Sequence, residues 1–195
     1  MDLRDRDEAE ILKHEGVSRS ADGLGYELSF LNARYLIDAV NERMVELEPM
    51  PERILTEEFQ ILLIRYLVSP YGGPLDDKEA SEKDFAGGVT FFQGPHALHT
   101  AVLAKLYGND PDAFEQRCRE LGAVPAAFGD KAMRFSPLPL IPVTYVLWKQ
   151  DDEFPASVSV MFDSSIARWF ELDMIFMVVW VVTERIIEGQ RRPRQ

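Results

Sequence analysis

Cysteine is almost absent from this chain: one residue, Cys118, in 195. That excludes an intramolecular disulfide framework and any multi-cysteine zinc or iron–sulfur site within the chain. Basic side chains are in deficit, 21 against 33 acidic ones, for a formal charge of −12. Such a surface repels nucleic-acid phosphates and anionic lipid, so neither nucleic acid nor a membrane is an expected partner. The one basic run, "RRPR" at 191–194, reads as part of a frayed tail over 190–195. Long apolar runs are missing too. The longest, "MIFMVVWVV" at 174–182, has nine residues, where a spanning helix needs about twenty. The first residues, "MDLRDRDEAE", are charged from the second onward and do not read as a signal peptide. A soluble, cytoplasmic protein is expected. No GxSxG, P-loop, GxGxxG, HExxH or paired CxxC occurs, so no motif names a reaction, a cofactor or a metal.

What is present is ordinary globular composition, 46% apolar and 28% charged, at a length that one core can organise. "RDEAEILKHEG" (6–16) reads as a short polar helix closed by Gly16, with His14 solvated among charges. "GYELSFLNARYLIDAVNERMVEL" (25–47) predicts two or three strands with a turn near Asn32-Ala33. "TEEFQILLIRYLVSP" (56–70) starts at a capping Thr56 and stops at Pro70, a helix buried on more than one side. The stretch 71–88 is the longest irregular one and reads as a solvated connection, though loops of that length often carry function. "DPDAFEQRCRELG" (110–122) is a helix capped by Asp110 and closed by Gly122, with Cys118 on its apolar face.

From 131 onward, "KAMRF", "VTYVLWKQ" and "ASVSVMFD" are three strands. Pro137, Pro139 and Pro142 should keep their stretch away from central ladder positions. A long helix over about 165–188, apolar nearly all round, should be central to the core or half of a homodimer interface. Hairpin strands, helices in blocks and no βαβα alternation make this an α+β domain. The expected architecture is an antiparallel sheet packed with several helices, one domain over 1–195, with 1–20 a helical extension.

Two histidines, His96 and His99, stand three apart after Gly94-Pro95, on a helix expected to run to Tyr107. That spacing lets two imidazoles reach one ion. Against it, a helix start disfavours a nearby cation, and no third histidine stands at a useful spacing, so the pair reads first as structural. Three acidic positions lie at element ends: Asp130 in a turn before a strand, Asp151 to Glu153 between strands, and Asp163 before the last helix. They suit a hard cation or an acid–base pair, and equally suit turns and caps.

The segments "FQILLIRYLVSPYGGPL" and "GDKAMRFSPLPLIPVTYVLWKQDDEFPASVSVMFDSS" resemble a bacterial family, domain of unknown function 3786. The matching features are Tyr66-Leu67, Gly129-Asp130, Pro139 to Pro142, Asp152 to Pro155 and Phe162-Asp163, and the resemblance covers about 20–190. It implies a bacterial cytoplasmic domain linked to anaerobic redox or cofactor metabolism. Members occur largely in anaerobes, some fused to a cysteine-rich iron–sulfur module that this chain lacks.

Three functions remain open on the sequence. The first is an accessory module that binds a small molecule, a cofactor or a partner protein, with His96, His99, Asp130 and Asp163 as the groups that would hold a cofactor. The second is a metal-dependent enzyme, such as a hydrolase, using the carboxylates with a histidine. The third is an interaction protein whose last helix builds a homodimer.

Overall fold

The computed structural model describes residue 3 and residues 7–47 and 56–188. The expected frayed tail over 190–195, with its basic run, lies outside the described residues. Helix α1 (Glu8–Ile11) is capped by the Asp7 carboxylate, which accepts from the Ala9 amide. Strand β1 (Ser18–Arg19) then leads into β2 (Gly25–Phe30), β3 (Ala33–Asp38) and β4 (Arg43–Glu46), an antiparallel sheet in the order β1-β2-β3-β4. The turn after Phe30 falls where expected, and Leu31 takes positive φ there. Gly25 is obligatory, because a Cβ would lie 2.0 Å from the Ile37 carbonyl oxygen. Helix α2 (Glu57–Val68) starts at Thr56, whose hydroxyl accepts from the Phe59 amide, and buries Phe59, Leu62, Leu63, Tyr66 and Leu67.

The stretch expected as irregular, 71–88, holds a short strand β5 (Glu79–Ala80) and a 3₁₀ turn, Glu82–Asp84. Next come α3 (Gly88–Phe91), a 3₁₀ turn at Gly94–His96, α4 (Ala101–Tyr107) and α5 (Pro111–Glu120). The helix expected from Gly94 to Tyr107 is therefore two pieces. Ala97 is extended, at ψ 135°, and no side chain caps the Gly94 turn. By contrast α5 begins as the sequence dictates, with the Asp110 side chain accepting from the Ala113 amide and Pro111 in the first turn.

The second sheet is antiparallel throughout, ordered β5-β9-β8-β7-β6, with β6 (Val124–Ala126), β7 (Lys131–Leu138), β8 (Ile141–Trp148) and β9 (Ser157–Asp163). The α+β class expected from the sequence is what the chain adopts. The prolines differ from expectation, since Pro142 lies inside β8, the central strand. The β7–β8 pairing is irregular between Phe135 and Leu138, and it is in this interrupted register that the proline-rich corner is absorbed.

The last helix is also broken. Helix α6 (Ile166–Trp169) ends at Phe170, which is extended at φ −136°, ψ 143°, before α7 (Leu172–Glu188). The extended residue lets Trp169 and Phe170 both turn onto Tyr66, at ring distances of 5.6 and 6.4 Å, which successive helical residues pointing 100° apart would not do. Helix α7 buries Ile175, Val178, Val179, Val182 and Ile186, and its remaining apolar residues past Asp173 are at least half-buried. It is central to the core.

The face of the second sheet that carries Met133, Phe135, Val143, Tyr145, Val160 and Phe162 is wholly buried, and α7 packs here. The Tyr145 hydroxyl donates to the Val179 carbonyl and meets Thr183 Oγ, each at 3.0 Å. Burial pushes the Tyr145 phenol far above its ordinary value, so it stays a neutral donor. Burial likewise pushes the Cys118 thiol up, consistent with a small hydrophobe. Removing the Tyr145 hydroxyl strands the Thr183 hydroxyl inside the core. Tyr145→Phe should lower unfolding free energy by about 1–2 kcal/mol in urea denaturation, with the slope of the transition unchanged.

Candidate functional site

Strand β8 is buried from Ile141 to Leu147 and surfaces only at Trp148, its last residue. Alternation puts Trp148 on the sheet face opposite α7, beside Val146 and across from its β9 partner Ser157. The Gly129-Asp130 turn lies over this face. Gly129 has φ +54°, and a Cβ there would sit 2.6 Å from Val146 Cγ1 and 3.1 Å from the Leu147 carbonyl oxygen. Only glycine lets the turn approach so closely. Asp130 then donates its amide to the Leu147 carbonyl at 3.2 Å and accepts the Lys149 amide on Oδ2 at 2.8 Å.

The link from β8 to β9 is built around Asp151. Its Oδ1 accepts the Phe154 amide at 2.6 Å and the Glu153 amide at 2.8 Å, and these bonds hold its carboxyl below the usual range. Phe154 is thereby presented to solvent, 66% exposed, while Trp148 is 49% exposed. Asp130, Trp148, Lys149, Asp151, Phe154 and Ser157 line an open cleft of about 500 Å³. Oδ1 of Asp130 and Oδ2 of Asp151 take no hydrogen bond among the described residues. The cleft joins two of the acidic positions singled out in the sequence, Asp130 and the 151–153 cluster.

Asp163 stands at the other end of β9, six residues from Ser157, or about 20 Å along a strand. It does not share a site with Asp130. It is 5% exposed and its Oδ1 accepts the Asp76 amide at 2.9 Å and the Ser165 amide at 3.0 Å. Burial works against its ionisation, but hydrogen bonds from Ser165, Asp76 and Lys78 outweigh it and hold the carboxyl below its ordinary value. Arg168 completes a clamp on the 71–78 stretch. Its Nη1 pairs with both oxygens of Asp76, at 2.7 and 2.8 Å, and its Nε and Nη2 donate to the Gly72 and Pro74 carbonyls. The stretch expected to be a solvated connection is thus strapped to α6.

Beneath the strap lies His14, expected to be solvated and in fact 2% exposed. Its ring meets Tyr66 at 5.1 Å, Trp169 at 5.3 Å and Tyr71 at 6.5 Å, edge to face. Nδ1 faces the Ile11 carbonyl at 3.1 Å, closing the end of α1. The charges around it in sequence point outward while the ring fills an aromatic slot, and short-range composition gives no sign of that.

His96 and His99 occupy a third place. Both are exposed and flank Phe176 of α7, at 5.7 and 6.3 Å, and His96 also stacks on Phe91 at 4.5 Å. With the helix broken between them, they do not share a helical face. From 85 to 104 the chain has no Asp, Glu, Lys or Arg, so this surface is nearly free of charge. The four residues named for cofactor binding therefore fall at three separate places. Among the described residues, no three His, Cys, Asp or Glu side chains come together to hold a metal ion. No helix among them is long and apolar enough to cross a membrane.

A further cavity of about 320 Å³ lies between the first sheet and α2, walled by Ile37, Met44 and Ile64. Asp38 at its edge is 1% exposed, and its carboxyl is held at about 2 by the Asn41 amide and side chain and by Arg43. Every oxygen of Asp38 is spent on that turn, to Val40, Asn41 and Arg43. It serves the β3–β4 turn.

A family model described as Domain of unknown function (DUF3786) matches residues 7–185. No curated protein and no solved structure matches the chain.

The Asp163 clamp carries a pH signature. Its carboxyl lies lower in the folded chain than in the unfolded one, so its stabilisation is complete above the ordinary carboxylate range and fades as pH falls through the lowered value. Asp163→Ala should reduce the melting temperature at neutral pH, and the gap to wild type should narrow on acidification to about pH 2. Calorimetric scans across that range check it.

Proposed function

This chain belongs to the family described as Domain of unknown function (DUF3786), and from that premise we propose that it is an accessory binding module in bacterial anaerobic redox metabolism. The cleft between the Gly129-Asp130 turn and the 151–155 loop is its ligand site. One observation carries this reading. Two aromatic rings, Trp148 at 49% and Phe154 at 66% exposed, stand beside carboxylate oxygens that take no hydrogen bond among the described residues.

A folded chain gains nothing by holding large rings in water. The Trp148 ring meets the Gly129 turn that lies over Val146, and Phe154 is 66% exposed. Trp148 is set on a strand end and Phe154 on a loop closed by the Asp151 carboxylate. Rings and polar groups on such supports recognise a ligand with little loss of conformational freedom on binding. Dispersal of Asp130, Asp163 and the histidines over three places gives the metal-dependent hydrolase reading no common centre to act from.

Native mass spectrometry on protein from its own anaerobically grown source, purified without added ligand, tests the module. The expected spectrum shows a bound mass beyond the apo chain, absent from a Ser157→Trp variant whose indole fills the cleft. A bound mass that persists in that variant puts the ligand elsewhere. A clean apo mass in the wild type, with no response of Trp148 fluorescence to fractions of the same cells, contradicts the reading.

A further inference from the structure

We propose that the occupant of this cleft is a basic segment of a partner protein, bound through an arginine or lysine side chain placed between Trp148 and Phe154. The inference rests on the reading of the cleft as a binding site and adds the chemistry of what enters it.

Charge comes first. Asp130 and Asp151 line the cleft with one lysine, Lys149, and Asp152 and Glu153 follow Asp151 in the same loop. Asp130 and Asp151 are each held by backbone amides on one oxygen, and the other takes no hydrogen bond among the described residues. The chain as a whole, at −12, draws cations towards any such opening. The rings follow. Trp148 and Phe154 both line the cleft, and no ring contact joins them among the described residues. A guanidinium or ammonium over a Trp or Phe face is attracted by the ring quadrupole, and its methylene stem is covered by the same ring.

Extent argues for a peptide over a lone amine. The carboxylates lie on two turns, Asp130 on one and Asp151, Asp152 and Glu153 in a row on the other, more charge than a single cation balances. Exposed ion pairs are individually weak, so several must act together to hold a ligand. A segment with two or more positive charges satisfies all of them, one anchored between the rings and the others along the loop.

Fluorescence anisotropy with labelled tetra-arginine, tetra-glutamine and tetra-glutamate of equal length tests this. Tetra-arginine should bind, and weaken as salt rises. Ser157→Trp should abolish the binding. The double variant Asp130→Asn/Asp151→Asn keeps an acceptor oxygen in both turns and should bind about tenfold more weakly. Phe154→Ala, at an exposed position that folding does not depend on, should weaken binding about threefold. Tetra-glutamine or tetra-glutamate binding as tightly, and being lost in Ser157→Trp, overturns the basic occupant and leaves the cleft a ligand site. Arginine amide binding as tightly as tetra-arginine overturns the segment in favour of a small cation. Tetra-arginine binding that ignores both Ser157→Trp and Phe154→Ala is diffuse attraction to an acidic chain and also overturns the proposal. If no peptide responds to either cleft variant, the basic segment is overturned, and the bound mass lost or kept in Ser157→Trp still decides the cleft itself.

Discussion

Strand β8 is buried on both faces from Ile141 to Leu147, and the rest of the second sheet is arranged to cover it. On one face Val143, Tyr145 and Leu147 meet the core, where the Tyr145 hydroxyl reaches the Val179 carbonyl and Thr183 on α7. That bond needs a helix of nearly uniform apolar character, since strand β8, α2 and α5 all draw on its surface. In the last described turn of α7, Arg117 donates to the carbonyls of Arg185 and Ile186. On the opposite face cover is thin. Ser159 is exposed, Met161 and Arg134 are half-buried, and Val146 is closed over by the Gly129 turn and the Trp148 ring.

The cleft follows from that asymmetry. A turn tight enough to sit on Val146 requires glycine, and the residue after it, Asp130, is held by the β8 backbone on both its amide and its carboxylate. Trp148 is where the buried strand ends, so its ring is fixed at one edge and wet at the other. The loop that returns the chain to β9 must then leave the sheet, and Asp151 closes it on its own amides. Site and fold are the same construction here. Buried Asp38 spends both oxygens within the chain, whereas Asp130 and Asp151 in the cleft each keep one oxygen without a hydrogen bond among the described residues.

Much of this was legible in the residues. Thr56, Asp110, Pro111 and Gly122 mark α2 and α5, because caps and stops act within a turn of the chain. The strands from Gly25 to Glu46 and from Lys131 to Asp163 are visible in alternation, and α+β follows from their order. Of the site, the acidic turns at Asp130 and Asp151 were visible, but their meeting was not, since it depends on the β7–β8–β9 register. Trp148 and Phe154 read as ordinary sheet and loop residues. The break at Phe170 was hidden because Ile166, Phe170 and Ile175 keep an apolar helical pattern through it, and tertiary stacking on Tyr66 overrides that pattern. His14 was misplaced for the related reason that neighbours in sequence were charged while neighbours in space are aromatic. Arg168, which straps Asp76, has no local signal at all.

The account stands or falls on where a ligand touches the chain. Amide hydrogen exchange, compared between the free protein and the protein saturated with a basic peptide, reads that directly. Slowed exchange confined to Asp130 and Lys131 and to the stretch from Trp148 to Ser157 is the predicted result. Protection on the charge-free surface from Gly88 to Ala104, with none at the cleft, would contradict it.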